Sequence, residues 1–169
     1  YVCYAAHAVL IYSVTVKALG GVSPMAFFRG MAPAMMMAFS SASSVGTLPF
    51  TLECSEKLGA RKEIASFVLP LGMTINMDGT AIYEAVAAIF AAQVFGIELT
   101  IMQQVMIMLS AVLASIGTAG VPGSGLIMLT VVLNAAGLPL EAVGLLAGVD
   151  RFLNMGRMIP NIFGDGATS

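Results

Sequence analysis

The chain has 169 residues, of which 59% are hydrophobic and only 9% charged, and a net charge of −2. Soluble domains carry roughly 25% charged residues, so a mean hydropathy of +0.95 points to an integral, all-α, multi-span membrane protein. The near-neutral balance argues against a nucleic-acid partner. Cys3 and Cys54 are far apart and no histidine cluster accompanies them, which argues against a disulfide framework or a transition-metal centre.

Residues 1–20 are apolar, with His7 and Lys17 the only titratable side chains besides tyrosine and cysteine, and read as the end of a span. A start at Tyr1 without a basic n-region or a cleavage site argues against a signal peptide, and the expectation is a piece of a longer membrane protein. His7 reads as a packed or interfacial residue. Gly20-Gly21 and Pro24 end this helix. Residues 24–60 hold an apolar helix around Phe27–Phe39, too short to cross, then a polar tip, Ser40 to Pro49, then an amphipathic helix. This pattern predicts a re-entrant hairpin, because irregular backbone at membrane depth is tolerated only where protein or a watery cavity surrounds it.

Residues 64–95 are predicted to cross, interrupted at Asn76-Met77-Asp78-Gly79-Thr80. An ionised carboxylate in an apolar span is costly unless paired or bound to a cation. The glycine lets the backbone leave helical geometry and frees carbonyl oxygens. Amide, carboxylate, hydroxyl and carbonyl oxygens are the ligands of a hard cation. The alternative is a kinked span whose polar groups satisfy one another. Glu84, one turn on, is either a proton carrier or a satisfied structural carboxylate.

Residues 101–137 repeat the hairpin pattern, with a second glycine-rich tip from Ser115 to Gly125. Ser44-Val45-Gly46-Thr47-Leu48-Pro49 resembles Ser115 to Pro122, and each tip precedes a segment bearing Asn and Asp. Hairpin plus broken span, twice, is the pattern of an inverted-repeat transporter. If the first hairpin is re-entrant, Lys17, Arg29, Lys57, Arg61 and Lys62 share one face, which is then cytoplasmic, and Glu98 and Glu141 lie opposite. The two tips then enter from opposite sides and meet beside the Asn76–Thr80 break.

Residues 140–169 form the last and most polar span. Asp150, Asn154, Arg157, Asn161 and Asp165 recur at helical spacing on one face, with Arg151 off it. Arg157 is suited to a carboxylate, either a substrate's or that of Asp150 or Asp165 in a structural ion pair. A channel would want a continuous pore lining, and no spacing arranges Ser44 and His7 as an intramembrane hydrolase.

Together, Ser43 to Pro49, Asn76 to Thr80, Gly117 to Gly123, and Met155-Gly156-Arg157 with Asn161 and Asp165 resemble the dicarboxylate/amino acid:cation symporters, over essentially the whole chain. The resemblance implies the C-terminal half of a non-enzymatic transporter in a bacterial-type inner membrane. It implies a homotrimer formed through scaffold spans absent here, with a small anionic substrate, lipid around it, and no organic cofactor. Substrate would contact Ser43, Ser44, Thr80, Val121, Gly125, Asn154, Arg157, Met158 and Asn161. Sodium, as co-transported ligand, would use Gly72, Asn76, Asn161 and Asp165; Thr74, Ser115, Ile116 and Thr118; and Asn76 with Asp78. Glu84 stands where some members couple a proton. The second hairpin would gate an elevator-type movement. Two positions depart from amino-acid-transporting members: Asn154 replaces an aspartate that pairs with the substrate ammonium, and Met158 replaces a threonine. This favours a C4-dicarboxylate over an acidic amino acid, with a neutral amino-acid:sodium symporter as the alternative.

Overall fold

The computed structural model describes residues 1–169, and every regular element in it is helical. The chain opens with α1 (Val2–His7), a π-helical segment (Ala8–Tyr12) and α2 (Ser13–Ala18), whose junctions keep right-handed helical dihedrals. Gly21 at φ 65° ends this rod, and Pro24 supplies the first turn of α3 (Pro24–Ser41), as its fixed φ and missing N–H favour. α4 (Ser44–Leu58), α5 (Lys62–Ile75), α6 (Asp78–Val94), α7 (Ile101–Ile116), α8 (Ser124–Ala135), α9 (Glu141–Ala147) and α10 (Asp150–Thr168) follow.

The polar tip predicted over Ser40–Pro49 is almost wholly helical. Only Ala42, left-handed at φ 54°, and Ser43 separate α3 from α4. Ser43 ends the irregular stretch by capping: its Oγ accepts from the Gly46 N–H at 3.1 Å, and its carbonyl accepts from Thr47 Oγ1 at 2.7 Å. The second tip is different in kind. Residues 117–123 stay non-helical, with Pro122 unable to donate and Gly123 at φ 83°. The sequence likeness of the two tips therefore does not extend to their backbones.

No helix is long and apolar enough to cross a membrane alone. The predicted crossing over 64–95 is divided into α5 and α6, and the predicted last span is interrupted at Gly148 and Val149, between α9 and α10. α10 is the hub, packing against α3, α4, α5 and α6. One apolar cluster joins α6, α7, α8 and α9 through Ala88, Ala91, Ile107, Leu129, Leu133 and Ala142. The small alanines of α6 let the neighbouring backbones approach. A second cluster joins the first rod, α3 and α10 through Tyr12, Phe27, Met31, Met158 and Ile162. α10 runs between the two, which carries its polar face into the interior.

Candidate functional site

The break is built by a helix that ends and a helix that is capped from outside. α5 stops at Asn76 (φ −91°, ψ 71°), whose N–H donates to the Gly72 carbonyl at 2.7 Å. α6 has no side-chain cap of its own. The Gly79 N–H, an orphan of its first turn, donates instead to Asn161 Oδ1 on α10 at 2.7 Å. Gly79 is required here for proximity. A Cβ at this position would run into the Arg157 carbonyl and the Pro160 ring. Asn161 also turns its Nδ2 toward Thr80 Oγ1 (3.4 Å) and Met77 Sδ (3.2 Å), and its backbone carbonyl accepts from Asn76 Nδ2 (3.4 Å), so one residue ties α10 to both sides of the break.

Carboxylates cluster at the same point. Asp165 is 1% exposed, with Asn76 Nδ2 donating to its Oδ1 at 3.1 Å and no cationic partner. The same Oδ1 lies where a Cβ on Gly72 would be, at 2.6 Å. Asp78 is only half-buried, contrary to the expectation of a fully buried carboxylate. Its Oδ2 accepts from Tyr12 at 2.5 Å and meets His7 Nε2 at 3.0 Å. Residues five apart on an α-helix diverge. The intervening π-helical segment, with its i→i+5 repeat, brings His7 and Tyr12 to one oxygen. His7 is thus packed into this cluster, edge-on to Tyr12 and against Asp78. His7 and Tyr12 were invisible as a pair because nothing in the sequence signals a π-turn.

An unpaired buried carboxylate is strongly disfavoured. Asp165, Asn76 and Gly72 lie together at the break: Asn76 meets the carboxylate through its Nδ2, its own N–H donates to the Gly72 carbonyl, and the Asp165 carboxylate is the one anionic oxygen donor among them of the kind a hard cation takes. Thr74 is exposed, its Oγ1 donating to the Leu71 carbonyl. Ser115 and Thr118 are buried, bonded to the carbonyls of Val112 and Ala114, while Ile116 is exposed. α5 and α7 touch, but each of these hydroxyls bonds a carbonyl of its own segment and not one another.

The two tips meet. Ser43 Oγ donates to the Gly120 carbonyl at 2.9 Å, which also accepts from the Val45 N–H at 3.3 Å. Ser44 Oγ is buried beside them without a hydrogen-bond partner. Arg157 reaches this junction from α10. It is 2% exposed, lies 5.8 Å from the Tyr83 ring centroid, and donates through Nε to Asn154 Oδ1 at 2.7 Å and through Nη2 to Ser124 Oγ at 3.2 Å. Its Nη1 is buried and unpartnered. Neither expected internal partner takes the charge: Asp150 accepts from Tyr83 at 3.1 Å, and Asp165 sits on Asn76. Gly125 is buried against the guanidinium and leaves no room for a Cβ. Val121 is exposed, and Met158 is buried in the apolar cluster of α3 and α10. Glu84 is fully buried, and neither of its oxygens has a partner among the side chains and backbone around it. Arg151 is exposed and donates to the Ser40 carbonyl at 3.4 Å.

A buried arginine without an ion-pair partner, a buried carboxylate and two interrupted helices define an apolar all-helical protein with charged groups in its interior. The model of the sodium:dicarboxylate symporter family matches residues 1–169, and the chain belongs to that family. It is 48% identical over 157 residues to an excitatory amino acid transporter of Caenorhabditis elegans, covering 92% of this chain and 30% of the relative. Human excitatory amino acid transporter 2 is also 48% identical, with 92% and 27% covered. The proton/sodium-glutamate symport protein of Bacillus subtilis (strain 168) is 39% identical over 165 residues, with 98% and 38% covered. The chain spans well under half the length of the curated relatives it matches.

Proposed function

We propose that this chain forms the substrate- and ion-binding part of a sodium-coupled symporter for a dianionic carboxylic solute. The observation that carries the reading is Arg157: a buried guanidinium with an unpartnered Nη1 and no carboxylate of its own chain. A buried cation of this kind needs an anion, and its planar fork suits a carboxylate. Arg157 and the Ser44 hydroxyl flank the space between the tips and grip the two ends of the diacid. Asp165 with Asn76 and Gly72, and Asp78 with its neighbours, hold sodium. Asn161 meets Gly79 and Thr80 through its side chain and Asn76 through its backbone carbonyl, so ion binding at Asn76–Asp78 and substrate binding at Thr80 and Arg157 are coupled through one residue.

Residues 24–60 and 101–137 act as re-entrant hairpins from opposite faces, with the basic face cytoplasmic, and the second hairpin opens to admit substrate. The seven-residue irregular backbone at 117–123 supports that assignment over the first tip, which is only two residues long. Lipid or scaffold contact is supported by the apolar outward side of α7, where Ile101, Met102, Leu109 and Leu113 are exposed. The elevator movement and the trimer rest on the complete protein. Glu84 supports coupling to a proton as well, since a proton removes the cost of burying its charge.

The test is uptake of radiolabelled succinate and aspartate into vesicles containing the protein, with and without a sodium gradient. Saturable, sodium-dependent uptake lost in Asp165→Ala is expected. Uptake indifferent to sodium and to that substitution would sink the symporter reading and favour a channel.

A further inference from the structure

Arg151, in the first turn of α10, is exposed and has no carboxylate partner. The adjacent Asp150 is tied to Tyr83 instead. Its one hydrogen bond runs from Nη2 to the Ser40 carbonyl at 3.4 Å. A cation in the first turn opposes the dipole of its own helix, so α10 gains nothing from it there. Ser40 lies in the last turn of α3, just before the Ala42–Ser43 break, and Ser43 and Val45 beyond it meet Gly120 of the second tip. The guanidinium therefore stands at the rim of the tip junction. Arg157 is buried further along the same helix, about 9 Å on along its axis.

No other exposed cation stands at this end of the first hairpin. At roughly 1.5 Å per residue, Arg29 is about 16 Å from Ser40 along α3, and Lys57 about 20 Å from Ser44 along α4. Lys57 is also paired with Glu53. Lys17, in the last turn of α2, and Arg61 and Lys62, at the start of α5, belong to those same far ends.

We propose that Arg151 is an entry site that captures the incoming dicarboxylate at the rim of the two tips, before Arg157 takes it. The inference rests on the symporter reading above and deepens it. A dianion approaching a chain of net charge −2 is repelled overall, so a local cation sets where it arrives. At about 8 Å in water, one positive charge concentrates a dianion on the order of five-fold. Because Arg151 is exposed, water and salt weaken its hold, and the dianion moves on to the desolvated guanidinium.

The experiment follows the rates at which the full-length transporter binds and releases labelled succinate, with sodium fixed and ionic strength raised by choline chloride. In the parent, association should slow as ionic strength rises. Arg151→Gln keeps an N–H for the Ser40 carbonyl but not the charge. It should slow association about five-fold at the lowest ionic strength, flatten the salt dependence and leave dissociation unchanged. Arg151→Lys should restore both. An association rate unchanged in Arg151→Gln, a loss confined to dissociation, or a loss that lysine does not rescue overturns the entry role. Should the glutamine variant melt lower than the parent, the parent itself decides: association indifferent to ionic strength overturns the proposal. Each of these outcomes leaves the symporter reading standing. No sodium-dependent succinate binding by the parent overturns both.

Discussion

Arg157→Gln removes the charge on which the substrate assignment depends. In the structure the guanidinium holds Asn154 and Ser124 with two of its nitrogens and leaves Nη1 free for an anion. A hydrogen bond from a charged donor is worth roughly 1.5–3 kcal/mol. Two such bonds to a substrate carboxylate give about 3–6 kcal/mol, so diacid affinity should fall on the order of 10²- to 10⁴-fold. Sodium binding should be largely kept, because Asp165 and Asn76 contact each other and not the guanidinium. Equilibrium binding of labelled succinate at saturating sodium measures the first quantity, and sodium-dependent thermal stabilisation measures the second. The substitution also takes donors from Asn154 and Ser124, so the melting temperature without ligands separates a folding defect from a binding defect. Unchanged succinate affinity in a protein that melts normally would refute the assignment of Arg157 to the substrate.

Gly79→Ala places a methyl group against the Arg157 backbone and the Pro160 ring. Since backbone cannot swing aside, α6 and α10 must separate, and a loss of about 1–3 kcal/mol is expected as a lower melting temperature in detergent. Asp165→Asn should raise the sodium concentration needed for half-maximal uptake while leaving the tip contacts intact; an unchanged sodium dependence counts against Asp165 as a cation ligand. Tyr12→Phe deletes one donor to Asp78, and sodium activation curves should shift by an amount consistent with one hydrogen bond to a charged group, roughly 1.5–3 kcal/mol. Sodium activation identical to the parent would assign Tyr12 a packing role only.

Much of this protein was legible in residue order alone. The density of apolar residues required helices, and Gly21, Pro24, Gly59, Gly96 and Gly137 marked where they end, because a positive φ or a missing N–H is a local property. The break at Asn76–Thr80 could be read because polar groups in an apolar run are anomalous wherever they fold. The helical spacing of Asn154, Arg157, Asn161 and Asp165 already put them on one face, and all four are buried.

Which of those groups are partnered was a property of the tertiary structure. Arg157 could have been paired with Asp150 or Asp165; only the packing of Tyr83 and Asn76 against those carboxylates left it free. The first tip looked like a loop, yet the Ser43 cap and the facing Gly120 carbonyl made it the start of a helix. His7 and Tyr12 reach Asp78 through a π-turn, seventy residues away along the chain, and no local pattern announces that contact. Sequence order determines backbone punctuation and amphipathic faces, because those depend on neighbours within a turn or two. Satisfaction of a buried charge depends on which distant helix arrives beside it, and only the packed chain decides that.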